Sequence, residues 1–246
     1  MCNNCGCNVT SGNRHLLEAG GKLEHSQGRR TIQVLEGLLD ENDHQAMHNR
    51  EHLDQHRVVA INLMSSPGSG KTRLLEACLP ELAKMGIRVG VIEGDLETEN
   101  DAARIRKHGV PVLQITTGMA CHLDAHMVHN ALHYLPLAEL DLLFIENVGN
   151  LVCPASFDLG QHQDVVLLSA TEGDDKPCKY PVMFRSADRV LISKVDLLAH
   201  FDDFDAHRAQ ANLEQLGLAQ PAWQVSAKTG QGLEAWLAWL AELVKK

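Results

Sequence analysis

Apolar positions along the chain follow two rhythms. Between residues 31 and 57 they recur at helical spacing, with Ile32, Leu35, Leu39 and Met47 available to one face of a predicted helix. Beyond residue 58, short β-branched runs alternate with amphipathic stretches. The runs predict strands at 58–64, 87–92, 112–115, 140–145, 164–168, 189–193 and a short one at 223–226. Helices are predicted from the glycine-rich segment through Leu82, then near 98–108, 122–134, 205–216 and 231–244. Strands alternating with helices call for right-handed crossovers and a mostly parallel sheet flanked by helices, an α/β fold. Residues 1–30 contain few large apolar side chains and several Gly, Asn, Ser and Arg, which predicts a flexible arm. The expected division is an arm (1–30), a helical segment (31–57) and an α/β domain (58–246).

Composition narrows the picture. At 246 residues, with 44% hydrophobic and 22% charged side chains, the chain is globular and long enough for one large domain with an appendage. No apolar run is long enough to cross a membrane. A formal charge of −10 and few aromatic residues argue against nucleic acid or an anionic membrane as a partner. The polar N-terminus does not read as a signal peptide, so the seven cysteines are expected as thiols in the cytoplasm. Three of those thiols fall in the first seven residues, and there are fourteen histidines, so metal chemistry has to be considered.

The segment SSPGSGKT at 65–72 follows a predicted strand and opens a helix, the context that identifies a phosphate-binding loop. Backbone N–H groups of Gly68, Ser69 and Gly70 would turn toward phosphate oxygens, Lys71 would reach the β- and γ-phosphates, and the Thr72 hydroxyl would ligate Mg²⁺. Ser65 stands where the usual pattern has Gly. After the sixth strand, Asp196 in SKVD offers a carboxylate to guanine N1–H and the exocyclic amine, with the Lys194 stem along the base. Ser193 replaces the usual Asn. Ser226, Ala227 and Lys228 follow the seventh strand and resemble a loop whose backbone contacts the guanine carbonyl. In this order, these signals favour GTP over ATP. Asp95 and Glu146, at the ends of the second and fourth strands, are candidates to hold Mg²⁺ directly or through water. Gly149 is a candidate to meet the γ-phosphate through its N–H. No Gln follows Gly149 to orient water, which predicts slow hydrolysis.

The thiols suggest two metal sites. Cys2, Cys5 and Cys7, with Gly6 allowing a curl, can converge on one ion. Removal of Met1 would add the chain's α-amine as a fourth ligand. Cys121 and His122, read as opening a helix, and Cys153, beyond the fourth strand, fit a second small site. From spacing alone, separate buried thiols fit equally well. Cys78 reads as core and Cys178 as a loop thiol. The stripe His44/His48/His52/His56 reads as weak metal pairs or as a solvated helix face, and His122/His126/His129/His133 as helix surface beyond His122.

Together, the CxxCGC arm, SSPGSGKT, EGD, CHLDAHMV, ENVGNLVCP, TEGDDKP and SKVDLL resemble the HypB family of hydrogenase maturation GTPases over nearly the whole chain. The resemblance implies a P-loop NTPase fold of the SIMIBI class and a homodimer promoted by GTP. It implies nickel delivery to the [NiFe]-hydrogenase large-subunit precursor, and a partner of the HypA type. It also implies tight nickel binding by Cys2, Cys5 and Cys7, and a second Ni²⁺ or Zn²⁺ site at Cys121, His122 and Cys153. Two other readings are a nickel store with a vestigial nucleotide site and a urease-type nickel GTPase. The intact Gly70-Lys71-Thr72 opposes the first, and CxxCGC with CHLDAHMV opposes the second.

Overall fold

The computed structural model describes residues 29–95, 100–118, 120–200, 203–218 and 220–245, with side chains from residue 39 onward. The expected arm, with Cys2, Cys5 and Cys7, lies outside the described residues, save for Arg29 and Arg30 at the start of the first helix.

Helix α1 (Arg29–His56) leads into strand β1 (Val59–Ser65), and helix α2 (Lys71–Lys84) follows the glycine-rich turn. Strand β2 (Val89–Asp95), helix α3 (Asn100–Arg106), strand β3 (Val112–Thr116), helix α4 (Ala125–Leu132) and strand β4 (Leu142–Glu146) form the next units. Strand β5 (Gln163–Ser169) precedes two short helices, α5 (Lys176–Lys179) and α6 (Pro181–Arg185). Strand β6 (Arg189–Ser193), helix α7 (Ala206–Gln215), strand β7 (Trp223–Gln224) and helix α8 (Leu233–Val244) complete the described chain.

The strands form one parallel sheet in the order β3-β2-β4-β1-β5-β6-β7. The predicted α/β architecture is therefore present, and each predicted strand matches one in the structure. Period-two alternation explains the layers. Ile61 and Leu63 of β1 pack with Leu74, Leu79 and Leu82 of α2 and with Trp236 and Leu240 of α8. Ala60 points to the other face, where Leu53 of α1 and Val128 and Leu132 of α4 join Leu143 and Ile145. Met64, on that same face, joins Phe184, Ala209 and Leu213. Strand β4 is buried along its whole length, as expected of a central parallel strand covered on both faces.

Two expectations change. The predicted helix at 122–134 begins only at Ala125, because the Asp124 carboxylate accepts from Met127 N–H at 2.8 Å and caps it. Cys121 and His122 therefore lie in the preceding loop and do not open the helix. Cys178, expected in a loop, lies exposed in α5. Cys78 is buried as expected, and burial pushes its thiol up to about 12.

Candidate nucleotide and metal sites

Neighbouring positions in the sheet register form a row: Glu93 of β2 faces Glu146 of β4, which faces Leu63 of β1. The carboxyl ends of the inner strands therefore converge, the usual ligand position in open parallel sheets. The phosphate loop crosses this edge. Gly68 and Gly70 have φ of 74° and 99°, where L side chains are strained, so the glycines let the loop turn into α2. Lys71 is buried, and its ammonium donates to Ser65 Oγ at 3.1 Å. The departure from Gly at position 65 thus supplies a hydroxyl that holds the lysine beside the loop. Thr72 Oγ1 donates to Glu146 Oε1 at 2.8 Å.

Glu93 belongs to this group, although the sequence reading gave it no role. Burial and the adjacent charge of Glu146 push its carboxyl well above the usual range. Burial also raises Glu146, opposed by the Lys71 ammonium. Two buried carboxyls facing each other keep a proton between them. Their Oε2 atoms have no hydrogen-bond partner, so with Thr72 they form an oxygen-rich donor set that suits a hard cation such as Mg²⁺. Asp95 lies half-buried at the end of β2, and its carbonyl accepts from Thr117 N–H at 2.9 Å.

The base-side residues also meet. Ser226 Oγ donates to Asp196 Oδ1 at 2.6 Å and accepts from the N–H groups of Lys228 and Thr229, which positions the carboxylate beside the 226–228 loop. Ala227 is half-buried between them. Lys194, at φ 59°, donates to the carbonyl of Gly68 at 2.6 Å, so its stem crosses the phosphate loop. Ser193 Oγ donates to the carbonyl of Ser69 at 2.8 Å, a bond that ties β6 to the loop in place of the usual Asn. Glu172 accepts from Ser66 Oγ at 2.5 Å and Ser69 Oγ at 2.6 Å. Asp174 pairs with Arg208, and Asp175 with Lys179, so this acidic segment is engaged within the chain.

Gly149 meets the phosphate loop through its backbone. A Cβ there would lie 2.7 Å from Pro67 Cα and 2.8 Å from Pro67 N, so only Gly allows this approach. Four residues on, Cys153 Sγ lies 2.8 Å from Cys121 Sγ, and Cys121 Sγ lies 3.8 Å from His122 Nδ1. One ligand atom from each of Cys121, His122 and Cys153 falls within 4.8 Å of the others. The structure thus brings together three residues that spacing alone left open. His122 is buried and stacks on Phe157 with centroids 3.9 Å apart, and burial holds its pKa below the ordinary range. A neutral imidazole between two thiols is a ligand set for soft or borderline metals.

Buried amides fix the metal loop. Asn147 Oδ1 accepts from the N–H of Leu123, and its Nδ2 donates to Asn62 of β1. Asn42 of α1 accepts from the N–H of Ala125, and Asn49 donates to the carbonyls of Ala125 and Leu159. Asn147 belongs to ENVGNLVCP, but Asn42, Asn49 and Asn62 carry no motif signal. Only their burial, invisible in a single sequence, marks them.

The pattern of the CobW/HypB/UreG nucleotide-binding domain matches residues 59–224. The hydrogenase maturation factor HypB of Rhizobium leguminosarum bv. viciae is 50% identical over 222 residues, covering 90% of this chain and 74% of that protein. The chain belongs to the HypB family. The HypB of Escherichia coli K12 is 47% identical, covering 91% of this chain and 76% of its own length. Among solved HypB structures, the one from Helicobacter pylori in complex with nickel superposes with a TM-score of 0.79 at 43% identity, covering 83% of this chain and 95% of that one. The HypB of Archaeoglobus fulgidus gives 0.78 at 39% identity, covering 84% of this chain and all of that one. Among the described residues, no helix is long and apolar enough to cross a membrane.

Proposed function

We propose that this HypB-family chain hydrolyses GTP and uses its nucleotide state and dimerisation to time nickel delivery to a [NiFe]-hydrogenase large-subunit precursor in the cytoplasm. The observation that carries the reading is the short connection between Gly149, in backbone contact with the phosphate loop, and Cys153 of the thiol–imidazole cluster. A loop that moves with the γ-phosphate changes the ligand geometry offered to nickel. The nickel complex of the Helicobacter pylori relative supports nickel as the cargo.

In this reading, water attacks the γ-phosphorus of GTP, the bond to the β–γ bridging oxygen breaks, and GDP and phosphate leave. The ammonium of Lys71 neutralises charge on the β- and γ-phosphates, and the N–H groups of Gly68, Ser69 and Gly70 hold the phosphate oxygens. Thr72, with Glu146 and Asp95 beside it, would hold Mg²⁺, which would supply charge neutralisation at the phosphates. Asp196 accepts from guanine N1–H and the exocyclic amine, Lys194 lies along the base, and the Ser226-Ala227-Lys228 backbone meets the guanine carbonyl. No Gln follows Gly149, so intrinsic turnover is slow. Cys2, Cys5 and Cys7 form the tight nickel site of the arm (1–30), ahead of the helical segment (31–57) and the GTPase domain (58–246). Cys121, His122 and Cys153 take Ni²⁺ or Zn²⁺. A HypA-type nickel chaperone and a second copy of this chain are the other partners.

Steady-state GTP turnover tests the catalytic half. Wild type should hydrolyse GTP slowly, and Lys71→Ala should lower the rate by about 100-fold or more. A wild-type chain that binds nickel but never turns over GTP would favour the nickel-store reading.

A further inference from the structure

Two histidine stripes, each a plain helix-surface feature by itself, meet where α1 packs on α4. His48, His52 and His56 come from α1, His129 from the end of α4, and His133 from its C-cap. His52 and His133 have ring centroids 5.7 Å apart, and His129 and His133 4.6 Å apart. An open cavity of about 420 Å³ lies among them, with His48 and Glu51 on its wall.

The hydrogen bonds fix one tautomer. Asn49 Nδ2 donates to the carbonyls of Ala125 and Leu159, so its Oδ1 is the acceptor end. His129 Nδ1 lies 3.0 Å from that Oδ1 and must carry its proton there. The lone pair of His129 is therefore on Nε2, which lies 3.2 Å from His133 Nε2. At metal–nitrogen lengths of about 2.1 Å, that separation gives a ligand angle of about 100°, suited to tetrahedral or octahedral coordination. An amide that orients a ligating imidazole through its other nitrogen is the usual supporting arrangement.

We propose that His129 and His133 bind a borderline divalent cation of the Ni²⁺ or Zn²⁺ class at a site separate from the thiolate cluster, and that His52, on the facing helix with its ring centroid 5.7 Å from that of His133, joins them once its ring turns toward the ion. The site lies on the outer face of α1 and α4, and it uses none of the nucleotide residues. The claim stands independently of the GTPase reading. A cation held there also bridges α1 to α4, stabilising the interface that carries Asn42 and Asn49.

The test uses the full chain with Cys2, Cys5, Cys7, Cys121 and Cys153 replaced by Ser, titrated with Ni²⁺ against a competing chelator. One equivalent is expected. His129→Gln combined with His133→Gln should weaken it at least tenfold, His52→Gln should weaken it several-fold, and His108→Gln should leave it unchanged. No binding in the five-serine chain, or unchanged binding in the double variant, overturns the site. Unchanged binding in His52→Gln overturns the cross-helix ligand. Ring-proton NMR of the unmodified chain needs no variant. Paramagnetic broadening of the His129 and His133 signals by excess Ni²⁺ is expected, and unbroadened signals contradict the proposal.

Discussion

The carboxyl rim of the sheet carries two sites built in different ways. On the side of β1 and β6, the phosphate loop is one continuous segment, Ser65 to Thr72, and its partners Ser193, Lys194 and Glu172 bond directly to it. On the other side, Cys121, His122 and Cys153 come from two loops held by amides of a third segment, the α1 helix. The first site depends on local backbone geometry, which glycines and a short motif specify. The second depends on long-range packing. Asn147 and Gly149 join the two, one bonded to the metal loop and to β1, the other pressed on Pro67.

Asp196→Asn bears hardest on the nucleotide side. The amide would set a donor against a guanine donor, so GTP affinity should fall about 100-fold, and xanthosine triphosphate should bind the variant better than GTP does. Unchanged GTP affinity would remove Asp196 from base recognition. The metal side should not respond: nickel affinity in the absence of nucleotide should match wild type.

A second prediction addresses the network between the sites. Burial holds Asp164 up to about 6, while Gln161 and Asn62 donate to its oxygens, and Asn62 continues to Asn147. The native carboxyl binds its proton more tightly than an unfolded one near 3.8. The native state therefore carries the extra proton between those values, and the residue's contribution to stability falls as pH rises through that window. Denaturant unfolding at pH 4.5 and pH 7 should show the stability difference between wild type and Asp164→Ala shrinking by about 2 kcal/mol at the higher pH. A difference that stays constant or grows would mean that the carboxyl is not buried as described.

Asn49→Ala sharpens the contrast from the opposite direction. It removes two bonds that hold the Ala125 and Leu159 carbonyls. Nickel affinity at the thiol–imidazole cluster, read in a chain lacking residues 1–7 and carrying His129→Gln and His133→Gln, should fall about tenfold, because the loop that presents Cys121 and His122 loses its anchor at Ala125. GTP affinity should stay within about twofold of wild type, because the bonds of Asn49 run to Gln45, Ala125, Leu159 and His129 and not to the phosphate loop or the base-side residues. Equal losses at both sites would mean that the rim behaves as one unit.

Sequence legibility follows the same division. The seven strands and the phosphate loop could be read because β-branched runs and a Gly-Lys-Thr turn are local signals. The sequence predicts the start of helix α4 near residue 122, three residues early, whereas the Asp124 cap, a one-residue signal, sets the true start. Glu93 lies just past the predicted end of the second strand at residue 92, and only the longer strand and its register set it against Glu146. The pairing of Cys121 with Cys153 was open because loop length does not fix which loops meet. The two histidine stripes gave no hint of contact, since the α1–α4 packing that unites them is a tertiary fact.

The most direct test of the coupling is the nickel affinity of the chain without residues 1–7, measured once with GDP and once with a non-hydrolysable GTP analogue. In the proposed reading, Gly149 would move with the γ-phosphate and carry Cys153 with it, whereas Cys121 and His122 belong to another loop. The two nucleotide states should therefore differ in nickel affinity by about fivefold or more, and nickel should shift nucleotide affinity by the same factor. Cys153→Ala should bind nickel more weakly and lose the difference while still binding GTP. Equal nickel affinities in the two nucleotide states, with Cys153 intact, would contradict the account even if the metal site itself is real.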